Sequence, residues 1–406
     1  MKPIAGLLLG LCLLCACPAQ AAAPKDLSGV RGFNYFPVSV ANEQIFLQYD
    51  DAEVNRDFGY ARRLGLNQVR TFLRYSEWSA DTPKFRDSFA KLLAAVKRHD
   101  MQIMFVLSPP RPTSGGDQSA GEAQITAWLN DVLALARGHA EVLAWDVANE
   151  PDWIGYADTP RAPAEIASRM ASARKLADFV HRFDRSYLTT VGCWNVACIE
   201  VAEPYTDILS YHDYSPTREL IAANAARGKA FAEKVGKPIV QTEVGAANRA
   251  SPYDMALREY KRIGMGTYIW ELMIGKAWGD AQGLFYPDGT VRDPVIAAAV
   301  MGIFRNEGDN RVLENPDRES WVTVPLQRGA KWLAAAPPDW NEGLEIAETE
   351  ADMLEANQLV AMRFPPTLAV KNLRAGPPNL PALRAMLQDY ASLLTPYAGL
   401  GRQHGN

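Results

Sequence analysis

The chain has 406 residues, 48% hydrophobic and 22% charged, which is ordinary globular composition. A formal net charge of -5 gives no overall electrostatic reason to bind nucleic acid or anionic lipid. The length suits about two or three domains, although an α/β barrel of about 250 residues folds as one unit.

The chain opens on MKPIAGLLLGLCLLCACPAQAAA. Lys2 is a positive flank, Ile4 to Ala16 an apolar core of signal-peptide length, and Ala19-Gln20-Ala21 a small-residue cleavage site. The core is too short to span a bilayer comfortably. Residues 1–21 therefore read as a signal peptide, with export to periplasm or medium. Leu14-Cys15-Ala16-Cys17 loosely resembles a lipobox, with Cys15 atypical at its position, so lipid anchoring at Cys17 is the alternative. Cys193 and Cys198, in CWNVAC, are the cysteines left outside the leader. An oxidising compartment permits a local disulfide between them; two buried thiols are the competing reading. Two cysteines alone do not make a zinc site.

From Val30 onward short apolar runs alternate with longer amphipathic ones. GVRGFNYFP is the first expected strand, Asp51 to Leu64 a helix, and NQVRTFL the second strand. Asp87 to His99 is helical and precedes MQIMFVL; Ala123 to Arg137 is helical and precedes VLAWDV. The helix Ala164 to Phe183 leads to LTTVG, and then comes DILSYH, with room between them only for a short helix. The helix Arg218 to Val235 leads to PIVQTE, and Pro252 to Ile263 leads to MGTYIW. Val295 to Asn306 closes the series. Alternating strands and helices imply parallel pairing, and the runs are apolar as strands covered on both faces should be. The expectation is a (β/α)8 TIM barrel over residues 22–306. A doubly wound open sheet is the rival, but the first turn lacks the G-x-G-x-x-G phosphate fingerprint.

Beyond Asn306 the pattern changes. ENPDRES, APPDW, RFPP and AGPPN read as breaks. Between them GLEIAETEADMLEANQL and LPALRAMLQDYASLL have good helix propensity. Residues 307–406 are expected to form a mostly helical extension packed against the barrel.

In such a barrel the chemistry lies at the C-terminal strand ends. Strand 2 closes near Arg70, strand 4 on Asn149-Glu150, strand 6 on His212-Asp213-Tyr214, strand 7 on Glu243 and strand 8 on Trp270-Glu271. Strands 4 and 7 face each other across a barrel. Two carboxylates straddling a cleft suit glycoside hydrolysis, in which one protonates the departing oxygen and the other attacks the sugar or activates water. Their neighbours must set their proton affinities apart. Arg70 and Tyr214 could keep Glu243 ionised, Asn149 could bond a sugar 2-hydroxyl, and Trp270 offers a flat face for a pyranose ring.

WDVANEP, SYHDYS, IVQTEVG and YIWE, in that order, resemble the glycoside hydrolases of clan A, and most of all family 5, the cellulase and β-mannanase family. The resemblance spans about residues 28–306. It implies a retaining enzyme acting on a β-linked glucan- or mannan-type carbohydrate, with Glu150 as acid/base and Glu243 as nucleophile. It further implies that Asn149 reads the 2-hydroxyl, that Arg70 and Tyr214 hold the nucleophile, that His212 lines the subsite, and that Trp270 is the platform. Many family members carry a histidine just after strand 3, where this chain has Ser108-Pro109-Pro110, which opens the choice of substrate.

Each signal alone has a plainer reading: an N-E-P turn, a packed histidine–tyrosine pair, a surface arginine, a core tryptophan. Their conjunction in strand order carries the argument. Tyr35, Trp78, Trp194 and Trp278, with Trp153 and Tyr286, lie in or beside expected upper loops and are candidate sugar contacts, each with packing as its alternative. Trp128 and Trp145 are expected in the core, and Asp213 and Glu271 as structural groups near the site. DAQGLFYPDGT lacks EF-hand spacing and reads as a turn rather than a calcium loop. No cofactor or metal is expected. A binding protein on the same barrel would keep Trp270 and lose a carboxylate, yet both carboxylates are present. A metal hydrolase would need more strand-end histidines than His212.

Overall fold

Eight parallel strands close into a barrel in sequence order in this computed structural model, which describes residues 26–40, 44–110, 121–155, 159–246, 249–275, 282–304, 318–356 (backbone only at 318–321) and 365–397. The strands are β1 (Arg31–Asn34), β2 (Gln68–Arg74), β3 (Gln102–Ser108), β4 (Val142–Asn149), β5 (Thr189–Cys193), β6 (Leu209–Asp213), β7 (Ile239–Val244) and β8 (Gly266–Ile269). β8 pairs back onto β1, so the sheet has no free edge and the open-sheet alternative falls away.

The helices between them are α1 (Asp51–Arg63), α2 (Tyr75–Ala80), α3 (Thr82–Arg98), α4 (Glu122–Leu135), α5 (Pro163–Phe183), α6 (Cys198–Ala202), α7 (Arg218–Val235), α8 (Tyr253–Arg262) and α9 (Pro294–Val300). Local chemistry explains their ends. The Asp50 carboxylate accepts from the backbone N–H groups of Ala52 and Glu53 at the start of α1. α3 begins earlier than the expected Asp87 because Asp81 caps it and a proline sits in its first turn. α7 ends at Gly236, whose left-handed φ of 69° a β-carbon would disfavour. α9 stops at Val300, short of the expected Asn306. The fifth connection holds only the short α6, which a disulfide between Cys193 and Cys198 ties to the end of β5.

Alternation along the strands sorts the barrel interior into layers. Leu27, Val30, Met104, Ala144, Ile208, Val240 and Tyr268 form an apolar plug at the N-terminal end. Above it the interior turns polar. The Tyr268 hydroxyl donates to Gln68, and Thr190 Oγ1 donates to Ser210 Oγ at 2.9 Å. One residue pair further along each strand stand Arg70, Asp146, Gly192 and His212. The plug lies at the N-terminal end, and the polar layers lead toward the C-terminal strand ends.

Past the barrel come α10 (Arg318–Ala334), α11 (Trp340–Ala356), α12 (Pro366–Ala375) and α13 (Leu380–Leu394). α10 starts inside the expected break ENPDRES. These helices bury their own cluster around Trp332, Leu344, Ala347, Leu354, Val370, Leu383 and Leu387. They meet the barrel at α1 and α3: Arg63 pairs with Asp352 at 3.0 Å, and Arg328 donates to the Arg98 carbonyl at 3.3 Å. Among the described residues no helix is long and apolar enough to cross a membrane.

Candidate active site

Arg70 is the centre of the upper bowl. Its side chain has no solvent exposure, and all five of its N–H groups find acceptors. Nε and Nη2 donate to Asp146 Oδ2 at 3.1 and 2.8 Å, Nη2 also to Asn149 Oδ1 at 2.6 Å, and Nη1 to Asn34 Oδ1 and Glu243 Oε1, both at 2.7 Å. Burial works against the guanidinium charge, but Asp146 and then Glu243 more than offset it, and its pKa is raised.

Two of these partners reach Arg70 because their strands break alternation. Gln241 donates to the Tyr260 hydroxyl, on the helix side of β7. Strict alternation would send Glu243 the same way. A register shift between Gln241 and Val244 turns Glu243 inward instead. In β4 a shift between Asp146 and Asn149 likewise brings Asn149 to the guanidinium. Glu150 follows with φ 47°, a left-handed conformation that costs a non-glycine residue about 1–2 kcal/mol. Its N–H donates to the Gly192 carbonyl at 2.7 Å, and its own carbonyl accepts from Arg169 Nη2 at 2.9 Å.

The two glutamates sit in unlike surroundings. Glu243 is held on both oxygens, by Arg70 at Oε1 and by the Tyr214 hydroxyl at Oε2, 2.7 Å each, and its side chain is 5% exposed. Glu150 is 21% exposed and faces His212 Nδ1 at 2.9 Å. His212 Nδ1 also lies 3.3 Å from Glu243 Oε2. One oxygen from each glutamate and one His212 nitrogen fall within 4.8 Å of one another. Burial, against the pull of Glu243, lowers the His212 pKa to about 4, so at neutral pH the ring is a neutral hydrogen-bond partner rather than an ion-pair cation. Burial and Glu243 push Tyr214 well above its usual range and keep it a donor.

The structure therefore brings Arg70, Asn149, Glu150, His212, Tyr214 and Glu243 together. Trp270 stands at the end of β8, 6% exposed and edge-on to Phe36. Trp194 is half-buried on the loop after β5. Asp152 accepts from the Trp194 N–H at 2.7 Å and from Asn195 Nδ2 at 2.8 Å, tying that loop to the one carrying Glu150. Trp153 is half-buried under the Arg161 guanidinium at 4.4 Å, and Tyr286 is 42% exposed. Trp278 lies outside the described residues. Trp128 and Trp145 are in the core, as expected.

Two expected sugar contacts are corrected. Tyr35 is fully buried between β1 and α1, packed on Phe33 and Phe58, with its hydroxyl donating to Asp57 at 3.0 Å. Trp78 turns to the helical layer, where its indole N–H donates to Asp131 of α4 at 2.7 Å. In both cases packing of a bulky ring against the neighbouring helix wins over the loop position.

Asp146 and Asn34 are site residues that strand-end reading missed. Asp146 Oδ1 accepts from the Gly192 N–H at 2.8 Å, and Asn34 Nδ2 donates to the carbonyls of Thr242 and Ile269. A carboxylate inside the apolar run VLAWDV was the available signal, since a buried charge needs a partner. Asp213 is structural, accepting from Tyr260 and the Ser215 N–H. Glu271 is buried; burial and then Glu243 push its pKa up to about 8. Around Gly289 the chain makes a turn in which Asp288 accepts from the Thr290 N–H at 2.9 Å.

Glu150, His212 and Glu243 could in principle hold a metal ion. The Arg70 cation 2.7 Å from Glu243 Oε1 opposes a second cation there. Asp152 lies beside Cys193 and Cys198, but those sulfurs are joined to each other and are not free ligands.

No protein-family model and no curated protein matches this chain. Among solved structures the chain is similar to a glycoside hydrolase family 5 (subfamily 18) enzyme from Streptomyces cattleya in complex with GlcNAc: 15% identity, TM-score 0.53, covering 83% of this chain and 92% of that one. It is similar to an exo-β-1,4-mannosidase from Opitutaceae bacterium strain TAV5, at 16% identity and TM-score 0.52, over 74% of this chain and 67% of that one. It is also similar to a hyperthermophilic endocellulase from the archaeon Pyrococcus horikoshii, at 12% identity and TM-score 0.52, over 68% and 92%. These likenesses establish a shared fold, the barrel of family 5 glycoside hydrolases.

Proposed function

We propose that this protein is an exported, retaining β-glycosidase that cleaves a β-linked glucan- or mannan-type chain by double displacement. The observation that carries the reading is the unequal pair: Glu243 buried and gripped by Arg70 and Tyr214, and Glu150 more exposed and facing the neutral His212 ring at 2.9 Å, with oxygens within 4.8 Å. That spacing favours retention, since the carboxyls of inverting enzymes stand roughly 6.5–9.5 Å apart.

In this reading Glu243, oriented by Arg70, attacks the anomeric carbon as Glu150 gives its proton to the departing glycosidic oxygen. The C–O bond breaks, and a glycosyl ester forms on Glu243. Glu150, now a carboxylate, takes a proton from water, the resulting hydroxide attacks the same carbon, and Glu243 leaves as carboxylate. Asn149 Oδ1 is occupied by Arg70, which leaves the amide N–H groups for the sugar 2-hydroxyl. Trp270 supplies the stacking face. The similar enzymes whose descriptions include an exo-β-1,4-mannosidase and an endocellulase suggest β-1,4 linkages.

Azide rescue tests the roles. Glu150→Ala should still form the glycosyl-enzyme from an aryl glycoside with a good leaving group, then stall; azide, which needs no general base, should release a β-glycosyl azide. Glu243→Ala should be inactive, and azide can only attack from the opposite face and give the α product. The reverse pattern exchanges the roles, and full activity in both variants sinks the proposal. Export is tested by N-terminal mass spectrometry of the mature protein: a start near Ala22 is expected, whereas a diacylated fragment from Cys17 means a tethered enzyme. The leader sequence supports export, as does the Cys193–Cys198 disulfide, which suits an oxidising compartment.

A further inference from the structure

Arg249 follows β7, six residues after Glu243, and its guanidinium carbon stands 4.4 Å over the ring of Tyr214. Tyr214 is the residue whose hydroxyl holds Glu243, so Arg249 roofs the wall of the bowl next to the reacting carboxylates. It is exposed, and its charge reaches His212 on the floor, where it helps to disfavour protonation.

Arg249 has no carboxylate partner among the described residues. A comparison within the same bowl shows that this is not what stacking requires. Arg161 stacks on Trp153 at the same 4.4 Å, yet it also pairs with Glu165 at 3.1 Å and donates to the Trp153 carbonyl at 3.2 Å. Nor does it follow from a basic chain, since acidic residues outnumber basic ones, 47 to 42. Stacking fixes the plane of the guanidinium and limits the entropy that binding must cost. What remains is a flat fork of donors facing solvent at the edge of a sugar site. A neutral sugar offers such a fork single hydroxyl acceptors. A carboxylate or sulfate offers two oxygens at matching spacing and a full countercharge.

We propose that Arg249 binds an anionic substituent of the carbohydrate, a hexuronate carboxylate or a sulfate ester, and that the substrate is an anionic β-linked glycan. The proposal rests on the glycosidase reading and narrows its substrate class.

The test uses β-1,4-linked gluco- and manno-oligosaccharides in three forms: neutral, oxidised to the uronate at C6, and 6-O-sulfated. The wild-type protein should prefer a charged form, and the arm that wins identifies the anion. Arg249→Gln should lower the charged-to-neutral ratio of kcat/KM by about tenfold to hundredfold, the range of a hydrogen bond to a charged group, chiefly through KM. Arg249→Lys, which keeps the charge without the fork, should fall between. A wild-type preference for the neutral series overturns the proposal. So does an Arg249→Gln variant whose kcat falls equally on all three forms, because Arg249 would then only brace Tyr214. If the wild-type protein cleaves none of them, the glycosidase reading fails. Calorimetric binding of the same oligosaccharides to wild type and Arg249→Gln then decides the charge preference on its own: tighter binding of a charged form, lost in the variant, supports it, and equal binding refutes it.

Discussion

Arg70 and Asp146 form an ion pair, Nη2 to Oδ2 2.8 Å, in which neither side chain touches solvent. A buried pair repays its desolvation only when the remaining donors and acceptors are also satisfied. Here they are. Asp146 Oδ1 takes the Gly192 N–H, and the other Arg70 donors go to Asn34, Asn149 and Glu243. Asp146 is thus the anchor that aims Arg70 at Glu243.

Asp146→Ala should cost stability and activity together. It leaves a guanidinium buried with two of its five hydrogen bonds gone, a loss of about 3–5 kcal/mol, read by urea denaturation. Arg70→Lys keeps the charge but cannot reach four side chains at once. Its kcat/KM should fall by about a hundredfold or more, as when a preorganised donor is removed from a reacting charge, while circular dichroism stays native.

Gly192→Ala separates site geometry from fold. A β-carbon there would sit 2.7 Å from Asp146 Oδ2, 2.9 Å from Arg70 Nη2 and 3.1 Å from His212 Nε2. These atoms must shift, and a misplacement of about 1 Å costs roughly a hundredfold in rate. Turnover should drop far more than melting temperature does; a variant with wild-type kcat would refute this arrangement.

Acid should destabilise the protein through His212. Its folded pKa, about 4, lies below the ordinary 6.5, so the unfolded chain takes up the proton first. The stabilisation is present above pH 6.5 and is lost as pH falls toward 4, at up to about 1.4 kcal/mol per unit. His99, fully buried beside the C-terminal helices, is lowered for the same reason and adds in the same direction. Denaturation curves between pH 7 and 4.5 should show a smaller acid loss in His212→Asn than in wild type.

Alkali should act through Glu350 of α11. It is fully buried, neither oxygen has a hydrogen-bond partner among the described residues, and burial pushes its pKa up to about 8. A raised carboxyl contributes fully below its ordinary pKa of 4.5 and loses that contribution as pH rises through 8. Glu350→Met removes the titration and fills the site with an apolar chain of similar length. It should melt higher than wild type, with a gap that widens between pH 5 and 8, measured by calorimetry.

Much of the molecule is legible in the order of residues. Apolar runs such as MQIMFVL and IVQTE can be stable only with both faces covered, and their alternation with helices such as Arg218–Val235 leaves a barrel as the compact solution. An apolar strand that ends on a polar group places that group at the open end, and Arg70, Glu150, His212 and Glu243 meet there. Reading only the closing residues overlooks Asp146, one layer down, and Asn34, an uncharged residue inside the longer run GVRGFNYFP expected for the first strand.

What the linear order does not determine is direction. Tyr35 and Trp78 occupy loop-side positions, but contacts with Phe58 and with Asp131 on distant helices turn them away from the bowl. Glu243 would face the helical layer by simple alternation. The shifted pairing of β7 with β8 turns it toward Arg70. The kinds of groups, and the strand ends that carry them, follow from the order of residues alone, because burial and periodicity are local properties. Which way they point is set in the folded barrel, because register and ring packing depend on neighbours far away in the chain.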